Sequence, residues 1–254
     1  MKAKKRFAQH FLKDDNIARK IADSLQFRKQ GEKTDLLEIG GGTGKLTQFL
    51  LQKPEYELYV VEMEREAINF LKTHFSQLKD RLIEADFLKL NLAQIFSYPL
   101  VIIGNIPYNI TGPIFFRILD YRHLIPEAVL MIQKEVALRV VAQPGTKDYS
   151  VLTVMLKAYY NTEFLFTVSA GAFVPRPRIT SAVVRLKRKE TDPPIKNYDF
   201  FRYVVKTAFN QRRKTVRNSL KNLYNIDNVP QEILEKRAEQ LSLEDFFLLT
   251  NLVN

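Results

Sequence analysis

Residues 36–44 read Leu-Leu-Glu-Ile-Gly-Gly-Gly-Thr-Gly, and this stretch decides the fold. A short apolar run passes into four glycines within five positions, and a helical pattern over 45–52 follows. Strand, glycine turn and helix together make a nucleotide-type pocket, because glycine lets the backbone approach a ligand closely. Two common versions of such a loop fail on spacing. A dinucleotide fingerprint begun at Gly40 needs glycine at 45, where Lys45 stands. A P-loop ending at Gly44-Lys45 needs glycine at 39 and serine or threonine at 46, where the chain has Ile39 and Leu46.

Outward from this loop, short apolar runs alternate with helical patterns from residue 34 onward, the signature of a parallel α/β sheet. Strands are expected at 35–39, 57–61, 82–84, 100–103 and 128–132, with helices at 45–52, 65–78 and 113–119. Two further strand-like runs, 163–168 and 181–186, are expected to pair antiparallel on one edge, which makes seven strands in all. Residues 187–198 are polar, contain Pro193 and Pro194, and read as a linker. Helical patterns then cover 200–209, 212–223, 230–240 and 243–252; the last is capped by Ser242, with Glu244 and Asp245 in its first turn. The expected organisation is a mostly parallel, Rossmann-like α/β domain over 1–187 and a small all-helical domain over 188–254.

Composition narrows the chemistry. At 254 residues and 46% hydrophobic, the chain can bury one large core, or a large and a small one. Cysteine is absent and the three histidines (His10, His74, His123) are scattered, so no metal is expected. No apolar run suits a signal peptide or a membrane span, so a cytoplasmic monomer with no membrane partner is expected. A net charge of +11 points to a polyanion, and its distribution points to nucleic acid. Lys2, Lys4, Lys5 and Arg6 cluster at the start, and no acidic residue lies between Phe200 and Ile226. Within that interval Arg212, Arg213, Lys214, Arg217 and Lys221 are the expected RNA-binding cations. Arg213, Arg217 and Lys221 recur at i, i+4 and i+8, which on a helix is one face.

The spacing G-x-G-x-G after an acidic residue resembles the first motif of class I methyltransferases, which bind S-adenosylmethionine. Gly40 and Gly42 would approach that cofactor. Glu62 ends the second strand, 22 residues after Gly40, where a carboxylate can accept from both ribose hydroxyls. Asp86 follows the third strand, placed to accept from the cofactor's adenine amine, with Phe87 beside the ring.

The fourth strand runs into Gly104 and then Asn105-Ile106-Pro107-Tyr108. An aromatic exocyclic amine is a poor nucleophile because its lone pair is delocalised into the ring. Two oxygen acceptors for its N–H groups favour a more pyramidal nitrogen and free the lone pair for in-line attack on a methyl group. The acceptors assigned are the Asn105 side-chain oxygen and the Ile106 carbonyl. Pro107 fixes the turn, and Tyr108 offers a stacking face. No strong general base is needed, since the amine becomes acidic once alkylated. DNA or a small-molecule amine is an alternative acceptor at this stage.

Further stretches resemble the rRNA adenine dimethyltransferases, specifically their bacterial small-subunit branch. These are Phe7-Ala8-Gln9-His10-Phe11-Leu12, Asn105 to Ile110, Phe173-Val174-Pro175-Arg176-Pro177-Arg178, Ser181-Ala182-Val183-Val184 and Phe209-Asn210-Gln211-Arg212-Arg213-Lys214. Ala8 departs from the family's usual glycine. A branch acting on large-subunit rRNA shares Asn-Ile-Pro-Tyr, but Gln133-Lys134-Glu135-Val136-Ala137 and Lys147-Asp148-Tyr149-Ser150 look like the small-subunit group. The resemblance implies that S-adenosylmethionine is the methyl donor. It implies that the substrate is 16S rRNA, in the 30S subunit or its precursor, dimethylated on two adjacent adenosines near the 3′ end. It also implies cofactor contacts from His10, Leu12, Gly40, Glu62, Asp86 and Asn105, and a target base held between Phe173 and Tyr108.

Overall fold

The computed structural model describes residues 10–223 and 225–253. Lys2, Lys4, Lys5, Arg6 and the Phe7-Ala8-Gln9 part of the first motif lie outside the described residues. Packing divides the chain into two units. One comprises the described residues up to 137 together with 162–188; the other comprises 138–161 and the described residues from 189 on. This differs from a single cut after residue 187. The reason is that the apolar face of a helix at Val151–Tyr159, with Val154, Met155, Leu156 and Tyr159 buried, packs on the helical tail.

The first unit is built on a seven-stranded sheet. Its strands are β2 (Thr34–Ile39), β3 (Tyr56–Glu62), β4 (Leu82–Glu84), β5 (Leu100–Asn105), β6 (Glu127–Gln133), β7 (Tyr160–Val168) and β9 (Ser181–Arg188). β1 (Phe11–Leu12) and β8 (Phe173–Val174) form a separate antiparallel ribbon. The sheet order is β4-β3-β2-β5-β6-β9-β7, with β2 to β6 mutually parallel and β9 antiparallel to β6. β2 and β5 are buried along nearly their whole length, as the continuous apolar runs of a sheet covered on both faces require. This is the class I methyltransferase fold.

The helices of this unit are α1 (Asp15–Asp23), α2 (Thr47–Leu50), α3 (Arg65–His74), α4 (Leu92–Ile95), α5 (Thr111–Asp120) and the start of α6 (Lys134–Val141). The sequence pattern passes over α1, whose N-cap Asp14 accepts from the backbone of Asn16 and Ile17. It overextends α2 and α3: α3 stops at Phe75, whose φ of −130° and ψ of 54° leave the helical region.

In the second unit, α7 (Val151–Tyr159), α8 (Tyr198–Asn210) and α11 (Leu243–Leu252) enclose a small core in which Phe201 and Phe246 are fully buried. The continuous helices expected over 212–223 and 230–240 are not formed. α9 (Val216–Ser219) and α10 (Gln231–Leu234) are single turns. Thr215 instead bridges Arg237, and the Val216 N–H donates to the Lys236 carbonyl at 2.8 Å, so backbone pairing overrides helical periodicity in both segments. Arg213, Arg217 and Lys221 therefore do not share one helical face.

Candidate functional site

Strand order places the site. From β2 the chain winds outward through β3 to β4, and from β5 it winds the other way through β6. The loops leaving β2 and β5 thus diverge at the carboxyl edge, where open α/β sheets hold ligands. Ile39 and Gly104 are register partners at the ends of these two strands. A β-carbon on Gly104 would stand 2.8 Å from the Ile39 carbonyl oxygen, so only glycine lets the two strand ends approach this closely.

A cavity of about 290 Å³ opens at this point, near the small end of the range for ligand pockets. Its walls bring together Gly40 and Gly42 from the β2 loop, Glu62 at the end of β3, Asp86 and Phe87 after β4, and Asn105 to Tyr108 after β5. His10 and Phe11 close it from the ribbon side. Gly40 has φ of +75° and open space around the position of a side chain, a cradle that any larger residue would fill.

Glu62 is 7% exposed, and its carboxylate is held by three backbone donors. Oε2 accepts from Gly42 N–H at 3.0 Å; Oε1 accepts from Met63 and Glu64 N–H at 2.8 and 2.9 Å. One carboxylate thus fixes the glycine loop, and both of its oxygens keep lone pairs for a ligand's hydroxyls. Asp86 caps the short turn after it, Oδ1 accepting from Leu88 N–H at 3.0 Å, which leaves Oδ2 for an amine donor. Beneath the loop, Glu38 is 1% exposed and accepts from the Thr47 hydroxyl at 2.7 Å. Burial pushes its carboxyl up to about 7; the Thr47 hydrogen bond opposes this, and the nearby Glu62 charge adds to it.

The turn after β5 is held by its neighbours. Ile106 N–H donates to Met131 O at 3.0 Å. Asn105 Nδ2 donates to the His10 carbonyl at 3.1 Å, which leaves the amide oxygen as the acceptor of that side chain. Tyr108 is half-buried, its hydroxyl 2.8 Å from Ser181 Oγ. The His10 and Tyr108 rings lie 5.5 Å apart and inclined at 34°. His10 Nδ1 is 2.9 Å from the Pro175 carbonyl, an acceptor, so Nδ1 carries the hydrogen.

Leu12 and Phe173 do not line this cavity. They are register partners in the β1–β8 ribbon, 5% and 2% exposed, and both belong to the core. Phe173, buried in this way, does not face the cavity opposite Tyr108 in this structure. Its backbone pairs with Leu12 in the strand that follows His10. Among the residues of the cavity wall that sequence reasoning does not assign to the site are Phe11, Met63, Glu64, Asn109 and Ile110. Met63 is 53% exposed, and an apolar residue directly after a strand-end carboxylate is the signal that could have marked it. Of the basic residues 212–221, Arg212 pairs with Glu239 at 3.7 Å and donates to Lys147 O at 2.8 Å. Arg217 pairs with Asp227 at 3.4 Å and donates to Gln231 at 2.6 Å. Arg213, Lys214 and Lys221 are exposed.

Residues 1–254 match the family described as ribosomal RNA adenine dimethylase. A ribosomal RNA small subunit methyltransferase A from Cytophaga hutchinsonii is 48% identical over 257 residues, covering 100% of this chain and 98% of the relative. Its counterpart from Flavobacterium johnsoniae is 47% identical over 252 residues, 98% of this chain and 95% of the relative. Among solved structures, a dimethyladenosine transferase from Plasmodium falciparum superposes with a TM-score of 0.79 at 29% identity, covering 94% and 96% of the two chains. The 23S rRNA methyltransferase ErmE shares the fold, with a TM-score of 0.71 at 24% identity over 96% and 99% of the chains.

Proposed function

The chain belongs to the ribosomal RNA adenine dimethylase family, and from that membership we propose that it methylates the N6 amines of two adjacent adenosines near the 3′ end of 16S rRNA while the small subunit matures. It is an S-adenosylmethionine-dependent rRNA adenine dimethyltransferase. The small-subunit names of relatives at 47–48% identity favour the 30S subunit or its precursor as the particle; that the protein acts as a monomer is part of the proposal.

The observation that carries this reading is the sharing of one cavity by the glycine loop with its two carboxylates and by the Asn105 turn. S-adenosylmethionine supplies an electrophilic methyl group on a sulfonium sulfur. Glu62 would accept from the ribose hydroxyls, Asp86 from the adenine amine, with Phe87 against the ring, Gly40 and Gly42 close to the ligand, and His10 and Asn105 along the wall. The Asn105 oxygen and the Ile106 carbonyl accept from the two N–H groups of the target amine and turn its lone pair toward the methyl carbon. When bound, S-adenosylmethionine would supply the methyl group with loss of its S–C bond as the N–C bond forms, and the alkylated amine would lose its extra proton to solvent. A monomethylated amine retains one N–H, so in the second transfer one acceptor suffices. Tyr108 stacks on the base, worth roughly 1–3 kcal/mol.

Adenine must leave its stack to reach this turn, at a few kcal/mol, and contacts to the RNA backbone offset that. Arg212, Arg213, Lys214, Arg217 and Lys221 of the helical unit are assigned to phosphates, so affinity should fall steeply with salt. The test is transfer of labelled methyl from S-adenosylmethionine to isolated 30S particles, to 50S particles and to DNA. Transfer to 30S particles alone supports the proposal; transfer to 50S particles or DNA in preference overturns it.

A further inference from the structure

We infer that Arg176 and Arg178 grip phosphates of the RNA strand on either side of the extruded adenosine, at the wall of the methyl-transfer cavity. The inference rests on the RNA reading above and adds to it a second binding element, in the unit that holds the cofactor loop.

The segment from 173 to 181 is tied down at both ends to residues of the cavity. At its start, Val174 and Phe173 pair with Phe11 and Leu12, Lys13 N–H donates to Ala172 O at 2.8 Å, and His10 Nδ1 donates to Pro175 O at 2.9 Å. At its end, Lys134 N–H donates to Thr180 O at 3.0 Å and Ser181 Oγ lies 2.8 Å from the Tyr108 hydroxyl. Residues 176–179 therefore span from His10 to Tyr108, two residues of the cavity wall. Pro175 and Pro177 fix their own φ angles, and Arg176, preceding Pro177, is held away from helical backbone. Pro177 is buried between two exposed arginines.

Among the described residues neither guanidinium has an ion-pair or hydrogen-bond partner. That contrasts with Arg185 and Arg212 of the same chain, each held by a glutamate. Val174 and Ile179, 53% and 42% exposed, flank them with apolar surface. Two unpartnered forks on a proline-stiffened strap suit the bidentate geometry of phosphate, and a rigid strap loses little freedom on binding. Their place on a strap whose ends meet His10 and, through Ser181, Tyr108 suits the phosphates next to the target nucleotide rather than a distant duplex.

The test is the double variant Arg176→Ala/Arg178→Ala, with Arg176→Lys/Arg178→Lys as its partner, assayed on 30S particles across a salt series. The alanine pair should bind S-adenosylmethionine within about twofold of the parent, lose about tenfold or more in kcat/KM for RNA, and show a slope of log(kcat/KM) against log salt shallower by about 1.4, the value for two phosphates of a single strand. The lysine pair, keeping both charges, should restore the slope. An unchanged slope with the parent active overturns this inference alone, as does loss of cofactor binding in parallel with RNA binding. A parent that methylates no RNA overturns the functional reading and this inference with it.

Discussion

Replacing Glu62 by glutamine keeps the side chain's volume and removes one of the two oxygens on which the loop depends. The amide oxygen will stay with the two donors at Met63 and Glu64, 2.8 and 2.9 Å away in the parent. The amide nitrogen then faces the Gly42 N–H, a donor opposite a donor where the parent has a 3.0 Å hydrogen bond. The side chain is only 7% exposed, so water cannot readily replace the lost bond. An unsatisfied buried donor costs about 1–3 kcal/mol. The cofactor ribose also loses an ionised acceptor, a contribution of about 1.5–3 kcal/mol, or roughly a 12- to 150-fold rise in Kd. Urea unfolding of Glu62→Gln should show the first loss, and titration calorimetry with S-adenosylmethionine the second, while affinity for RNA is retained. A variant with parental stability and a Kd within about threefold of the parent would refute the role given to this carboxylate.

Three further perturbations separate the parts of the account. Asn105→Ala should lower kcat by about 10²–10³-fold with RNA affinity within about threefold, measured by single-turnover transfer and filter binding; equal loss of both contradicts the assigned role. For Glu38, burial raises the folded carboxyl to about 7 from 4.5. The native state therefore holds a proton that the unfolded chain releases, and Glu38 lowers stability progressively as pH rises from 4.5 toward 7. By linkage that amounts to about 3 kcal/mol. Urea midpoints of the parent and Glu38→Gln at pH 5 and pH 8 should diverge at the higher pH in favour of the glutamine; a pH-independent difference argues against it. Gly44→Ala would place a β-carbon 2.1 Å from Phe75 Cε2 at φ of +70°, and should lower the melting temperature by an amount corresponding to about 3 kcal/mol or more, partly recovered with Phe75→Ala.

The sheet and most of the cavity are legible in the sequence because they depend on local pattern. In a parallel α/β sheet the residue that ends a strand is at the carboxyl edge whatever else the chain does, so Gly40, Glu62, Asp86 and Asn105 converge by construction. The ribbon is not legible in this way. β1 and β8 are two residues each, and their pairing joins Phe11 to Val174 across most of the chain. That pairing decides which way Phe173 points, and it points into the core. The tail misleads for a related reason: residues 212–223 carry helical periodicity, yet the bridge between Thr215 and Arg237 stops the helix. Periodicity reports which residues prefer burial, and long-range backbone pairing decides whether a helix delivers it. The unit boundary follows the same rule, since 138–161 join the helical tail through packing by α7, which no composition shift marks.

The most direct test is mass spectrometry of 16S rRNA fragments from unmethylated small subunits after incubation with the protein and S-adenosylmethionine. The account predicts two neighbouring adenosines near the 3′ end, each carrying two methyl groups on N6. Methyl groups on ring nitrogens or ribose oxygens, or none at all, would mean that the oxygen pair at Asn105 and Ile106 does not orient an adenine amine.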